Sequence, residues 1–209
     1  MKSTVFALIG MSGSGKSYWS KRLAADLGFK HLSCDDLIAE RLELMQHGSE
    51  TKALAEWMGL PTDPNFVDRE REYIELERAV VEEILAKIES SPAAQNTVVD
   101  TTGSFVYLGD LVAERLQRAA KVIYLELPEH FHEQLVARYL QEPKPIVWNG
   151  RFCARPGESP QETVIRCYRE LIRYRSSLYE RYAHARLDAA FVLDVEQTTG
   201  DFLCRMQEL

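Results

Sequence analysis

The sequence predicts an α/β architecture, a parallel sheet with helices packed on both faces in three layers. Three observations carry this. Short apolar or β-branched runs at 5–9, 30–33, 97–100, 122–127 and 190–193 alternate with longer stretches of helical periodicity. That alternation is the pattern of strand–helix–strand units, whose strands pair in parallel because a helix carries the chain back. A glycine-rich stretch, Gly10 to Gly15, joins the first run to the first helical segment. Finally, the 209 residues are 45% hydrophobic and 27% charged, with no internal repeat and no low-complexity tract, as one core requires.

The elements follow in order. Strand 5–9 precedes a helix at 17–27 that Gly28 ends, and strand 30–33 follows at once. A charged amphipathic helix spans 68–88 and stops near Ser91-Pro92. Helices at 108–118, 128–140, 162–182 and 201–207 alternate with the remaining strands. Two stretches break the rhythm. Residues 44–66 carry Gly48, Gly59, Pro61 and Pro64, and residues 142–160 carry four prolines and two glycines around Trp148, Arg151 and Arg155. Loops of this length in an α/β domain are usually functional, so the chain reads as one domain, 1–209, with a cap at 44–66 and a lid at 142–160. Tolerated surface insertions are the plain alternative, since long loops cost little stability.

A net charge of -7 argues against a broad nucleic-acid footprint, which needs clustered Lys and Arg. The four cysteines (Cys34, Cys153, Cys167, Cys204) form no C-x-x-C pair, so neither a zinc site nor a disulfide framework is indicated, and a reducing, cytoplasmic setting fits. The opening Met1 to Ile9 runs straight into the glycine-rich stretch and reads as a strand, not a targeting segment. No apolar run approaches the roughly 20 residues that span a bilayer, so no membrane partner is expected.

Gly10-Met11-Ser12-Gly13-Ser14-Gly15-Lys16-Ser17 fits G-x-x-x-x-G-K-[ST], the Walker A sequence, in the required context of strand before and helix after. Its glycines let successive backbone N–H groups converge on an anion, and the helix start adds its positive dipole end. Lys16 would reach the β- and γ-phosphates of a nucleotide, and Ser17 would offer a hydroxyl to Mg²⁺. A nucleotide, ATP, with Mg²⁺ is therefore expected, held along Gly10, Ser12, Gly13, Ser14, Gly15, Lys16, Ser17 and Tyr18.

From this loop onward the order of features resembles the shikimate kinase family, within the nucleoside-monophosphate-kinase-like P-loop group. The segment Leu27 to Ile38 looks like that family's second strand and D-x-D turn. By this resemblance Asp35 holds and orients the acceptor hydroxyl, while Ser33 stands where the family has a first carboxylate near Mg²⁺. Val98 to Ser104 resembles a strand followed by a glycine triplet lining the acceptor pocket, of which Gly103 alone remains. Lys144-Pro145-Ile146 resembles Arg-Pro-Leu at the lid entrance. Arg175 to Glu180 resembles R-x-P-L-Y-E, which lands Arg175 on an arginine that grips the substrate carboxylate. Its partner arginine, expected just after Phe66, is Val67. Arg138 resembles the residue that stacks on adenine. The fold implied is that of P-loop NTPases, with a five-stranded parallel sheet in the order 2-3-1-4-5.

Phosphoryl transfer asks protein groups to align a nucleophile and neutralise charge, and each candidate is weighed on that basis. Asp35 can accept a hydrogen bond from the attacking hydroxyl, with Asp36 as a helix N-cap beside it. Asp100 closes an apolar run as a Walker-B carboxylate does and would hold Mg²⁺ with Ser17, although an aspartate serving only the Thr101-Thr102 turn is common. Arg151 or Arg155 would close over the γ-phosphate, unless both are solvated. Trp148 and Tyr168, Tyr174, Tyr179 and Tyr182 at helical spacing read as core. The function expected is an ATP-dependent small-molecule kinase that phosphorylates a hydroxyl of a small metabolite and is not specific for shikimate. A nucleoside or nucleotide kinase, a hydrolysing switch or a non-catalytic nucleotide-binding module are the alternatives.

Overall fold

The computed structural model describes residues 4–44, 50–90, 95–194 and 196–209, so the expected helix stop at Ser91-Pro92 and part of the 44–66 segment lie outside the described residues. Strands β1 (Val5–Ile9), β2 (Lys30–Ser33), β3 (Thr97–Asp100), β4 (Lys121–Leu125) and β5 (Ala185–Leu187) form one sheet in the order β2-β3-β1-β4-β5. Every pairing is parallel. The helices are α1 (Lys16–Leu27), α2 (Cys34–Arg41), α3 (Glu50–Met58), α4 (Phe66–Ser90), α5 (Asp110–Ala119), α6 (Glu129–Gln141), α7 (Pro160–Tyr182), α8 (Ala189–Val192) and α9 (Thr199–Glu208). No helix among the described residues is long and apolar enough to cross a membrane.

Strand alternation divides the core in two. Phe6 and Leu8 of β1 join Val98, Ile123 and Leu187 against α1, α8 and α9, while Ala7 and Ile9 join Val99, Val122 and Tyr124 against α2 to α7. Both faces are covered, which is why these strands read as unbroken apolar runs. Helix α1 ends at Gly28, whose left-handed φ of 67° lets its N–H close on Ala24. Helix α7 begins with a capping box, Ser159 and Glu162, followed by Pro160 at its first turn.

Three local expectations are corrected. The run expected as the last strand, 190–193, falls mostly in α8, and β5 lies at Ala185–Leu187. Asp188 accepts from the Phe191 N–H and so starts a helix within that apolar run. Helix α2 begins immediately after β2, and its N-cap is Ser33, whose Oγ accepts from the Asp36 N–H at 3.2 Å, rather than Asp36. The 44–66 segment contains α3, with Leu54 and Met58 fully buried on one face.

Helices α1 and α9 meet through Trp19 and Phe202, stacked at 4.2 Å and both buried. Trp19 also donates from Nε1 to the Val192 carbonyl, tying α8 to the base of the glycine-rich loop. Phe202→Ala should cost about 3–5 kcal/mol, the usual toll of removing a buried phenyl ring. Urea unfolding should show the midpoint lowered with the slope unchanged.

Candidate functional site

The glycine-rich loop sits where β1 turns into α1. At Gly10 a side chain is impossible: a Cβ would stand 2.8 Å from the Leu125 carbonyl and 2.9 Å from Ser14 Oγ. Gly15 caps α1 with φ 94° and supplies no side-chain acceptor, so the first-turn N–H groups remain free to meet an anion. Lys16 folds back, and its Nζ donates to the Gly10 carbonyl at 2.8 Å and the Met11 carbonyl at 3.0 Å. Burial lowers its pKa, while the charges of Asp100 and Asp35 pull it back up. Ser14 Oγ is buried in the same loop with no partner among the described residues.

A cavity of about 300 Å³ opens beside this loop. Ser12, Gly13, Gly15, Lys16, Ser17 and Tyr18 line it together with Asp35, Tyr73, Gly103, Ser104 and Arg175. Asp35 reaches it because the Ser33 cap starts α2 at Cys34 and leaves Asp35 in the first turn, where Tyr73 Oη donates to its Oδ1 at 2.9 Å. Burial and the nearby Asp100 raise the Asp35 pKa to about 6, against the Tyr73 hydrogen bond and Lys16, which lower it. Asp100 ends β3, in register with Leu8 on one side and Ser33 on the other. The carboxylate absent at Ser33 thus has a counterpart at the same level of the adjacent strand. His31 Nε2 approaches Asp100 Oδ2 at 3.7 Å. Next to Asp35, the Cys34 thiol is buried and its pKa is driven up by that burial, which keeps it inert.

Next to Ser104 lies a third carboxyl group, which sequence reasoning missed. Glu77 is fully buried on α4; Thr102 Oγ1 donates to its Oε1, and Ser104 Oγ donates to its Oε2 at 2.7 Å. Burial raises its pKa to about 7 despite these two bonds. The signal was available, since Glu77 falls on the helical stripe of Tyr73, Val80, Val81 and Ile84 that faces the core. Arg175 is also buried, donating from Nε to Tyr107 Oη at 3.1 Å and from Nη2 to the Val147 carbonyl at 2.5 Å. Its Nη1 lies over Gly103, where a Cβ would come within 3.3 Å. Val67 is 63% exposed and does not line the cavity.

Residues 142–160 are tied down at several points. Ile146, Val147 and Trp148 are buried, Glu70 Oε1 accepts from the N–H groups of Trp148 and Asn149, and Arg166 bridges Glu158 and the Cys153 carbonyl. Arg151 lies on the Tyr174 ring, 3.3 Å from its centroid, and Arg155 pairs with Glu170 at 3.4 Å, so neither lines the cavity. Lys144 does, and it also lines a neighbouring cavity of about 430 Å³ that holds Ser12, Gly13, Arg138, Tyr139 and Tyr168. The structure therefore brings the loop, Asp35, Gly103 and Arg175 together, sets Asp100 behind them, and places Arg138 on the loop's other side.

A family model described as an AAA domain matches residues 5–168. A curated shikimate kinase of Moorella thermoacetica is 32% identical over 120 residues, which is 57% of this chain and 56% of that one, so little more than half of either protein is matched. Among solved structures, the shikimate kinase of Acinetobacter baumannii in complex with shikimate superposes with a TM-score of 0.61 at 20% identity, covering 99% of this chain and 90% of the other. The Bacteroides thetaiotaomicron shikimate kinase gives a TM-score of 0.63 at 20% identity over 99% of both. At such identities the superpositions speak to the fold, and they agree on a parallel P-loop sheet. The chain belongs to the AAA domain family, has the P-loop NTPase fold and is similar to these shikimate kinases.

Proposed function

We propose that the protein is an ATP-dependent kinase that transfers the γ-phosphate to a hydroxyl of a small metabolite other than shikimate. The observation that carries this reading is the meeting, in one cavity of about 300 Å³, of a phosphate cradle and a buried carboxylate, Asp35, facing it. A hydrolase positions only a water, whereas a buried carboxylate in a cavity of about 300 Å³ has room to orient the hydroxyl of a bound small molecule.

In this reading the acceptor oxygen forms its bond to Pγ as the bond from Pγ to the bridging oxygen of ADP breaks, and Asp35 takes the hydroxyl proton. Lys16 leaves the Gly10 and Met11 carbonyls and spans the β- and γ-phosphates. Arg138 flanks the nucleobase side. The transferred group's charge falls to Lys144, which borders both cavities; Arg151 and Arg155 join only if the 142–160 segment, acting as lid, leaves Tyr174 and Glu170. Ser17 and Asp100 are hard oxygen donors of the kind Mg²⁺ takes, and no cluster of three or more ligating side chains is needed, because this ion keeps water and phosphate oxygens. Mg²⁺ would supply charge neutralisation of the phosphates. Gly103 and Arg175 complete the acceptor side, with the 44–66 segment as its cap.

Lys16→Ala should abolish transfer and the thermal stabilisation by Mg·ATP, which in the wild type should reach roughly 2.7 kcal/mol at a hundred times Kd. Retained activity would remove the assignment. Lys144→Ala should lower kcat by roughly ten- to a hundredfold while leaving the Mg·ATP melting shift in place, as expected of a charge used mainly in the transition state.

The Asp35 pKa near 6 gives two trends of opposite sign. Because the base must be ionised, kcat/KM should rise with pH through about 6 and level off above it, and Asp35→Asn should lose both the inflection and roughly 10²–10⁴ in rate. Stability of the unliganded protein should run the other way. Asp35 and Glu77 bind protons more tightly folded than unfolded, so their contribution is full below about pH 4 and is lost as pH climbs to about 7. Thermal melts across that range without nucleotide test this.

A further inference from the structure

We infer that the acceptor is a neutral polyhydroxyl compound rather than a hydroxy acid, and that Glu77 is the positioning residue that makes it so. This rests on the kinase reading above and deepens it.

Ser104 lines the cavity, and its hydroxyl belongs to a closed ring. Ser104 Oγ lies 2.7 Å from Glu77 Oε2 and 3.0 Å from Thr102 Oγ1, which in turn meets Glu77 Oε1. With Glu77 ionised, both hydroxyl protons go to the carboxylate. With Glu77 protonated at Oε1, its proton goes to Thr102, that of Thr102 to Ser104 and that of Ser104 back to Glu77. In both arrangements the ring uses every proton internally, and Ser104 has only lone pairs left for a ligand. The Ser104 backbone N–H is spent too, on Thr102 Oγ1 at 3.1 Å.

Tyr73 repeats the pattern. Its hydroxyl proton goes to Asp35 Oδ1, leaving the phenol oxygen and the Asp35 carboxylate as acceptors in the same cavity lining. A substrate presenting several O–H groups satisfies Asp35, Tyr73 and Ser104 together. A carboxylate satisfies none of them and adds a like charge beside Asp35. Arg175 compensates on one edge alone. Its side-on edge, Nε and Nη2, is filled by Tyr107 and Val147, which leaves the end-on edge, one N–H on each Nη. Nη1 has no acceptor among the described residues and lies over Gly103. Its charge also opposes an ammonium group there. The position where a second arginine would help is the outward-facing Val67.

The test is steady-state phosphate transfer from Mg·ATP to matched pairs: glucose and glucuronate, ribitol and ribonate, myo-inositol and shikimate. A preference in kcat/KM for neutral members of about tenfold or more is expected, as is customary when a site leaves polar groups unpaired against the wrong partner. Ser104→Ala should then raise KM for the preferred polyol by about tenfold without moving KM for Mg·ATP. Glu77→Ala, which frees both hydroxyl protons, should narrow the neutral-over-acid ratio while retaining the Mg·ATP melting shift. Preferential turnover of the acids, or a Ser104→Ala loss confined to KM for Mg·ATP, would overturn the inference and leave the kinase reading standing. Binding of Mg·ATP with transfer to no member of either class would sink both.

Discussion

One buried ammonium group organises the site. Lys16 is held among the carbonyls of Gly10 and Met11 within the field of Asp35 and Asp100, which oppose the lowering of its pKa by burial. An uncompensated buried charge is among the most costly things a fold can contain. The two carboxylates therefore form one unit with the loop, and each is delivered by a different part of the sheet. Asp100 comes from the end of β3, and Asp35 from the first turn of the helix that follows β2. The strand order β2-β3-β1 places these elements side by side, which is why the cavity opens at the carboxyl ends of the central strands.

The same demand reaches into the second carboxyl pair. Asp35 cannot be buried as an anion without a donor, and Tyr73 supplies one from α4; four residues on, the same helix face carries Glu77, satisfied by Thr102 and Ser104 from the turn after β3. Helix α4 is thus more than the covering layer its charged pattern suggests. Through Glu70 it also holds the Trp148 and Asn149 N–H groups, so one helix joins Asp35, the turn after β3 and the 142–160 segment.

Features that depend on local chain chemistry were legible in the sequence. The glycine-rich loop, the strand before it, Gly28 ending α1 and the helical stripes of α4 and α7 each declare themselves within a few residues. The misreadings share another cause. The apolar run 190–193 looked like a strand because composition cannot register that Asp188 caps a helix there, and α3 was hidden by the glycines and prolines around it. Side-chain direction over long sequence distances was illegible for a different reason. Nothing in the neighbourhood of Arg151 or Arg155 reveals that one rests on Tyr174 and the other on Glu170, nor does Arg175 announce its hold on Val147, 28 residues away.

The acceptor side shows how substitutions at separate places can be a single physical change. Where the resemblance leads one to expect small glycines, this chain has Thr102 and Ser104, whose hydroxyls would be stranded in an apolar interior. Glu77 satisfies both, and in doing so brings in a carboxyl that needs donors of its own, which the two hydroxyls are. Neither half is tolerable without the other. Anionic recognition weakens at the same time: Val67 carries no charge, and the side-on edge of Arg175 is turned to Tyr107 and Val147. A wall gaining a carboxyl group while losing free guanidinium edges moves in one electrostatic direction. The nucleotide half of the cavity keeps its glycines, its lysine and its serine, and change is concentrated where the acceptor would lie. On the kinase reading proposed above, that division is the expected outcome of keeping a reaction and altering what receives it.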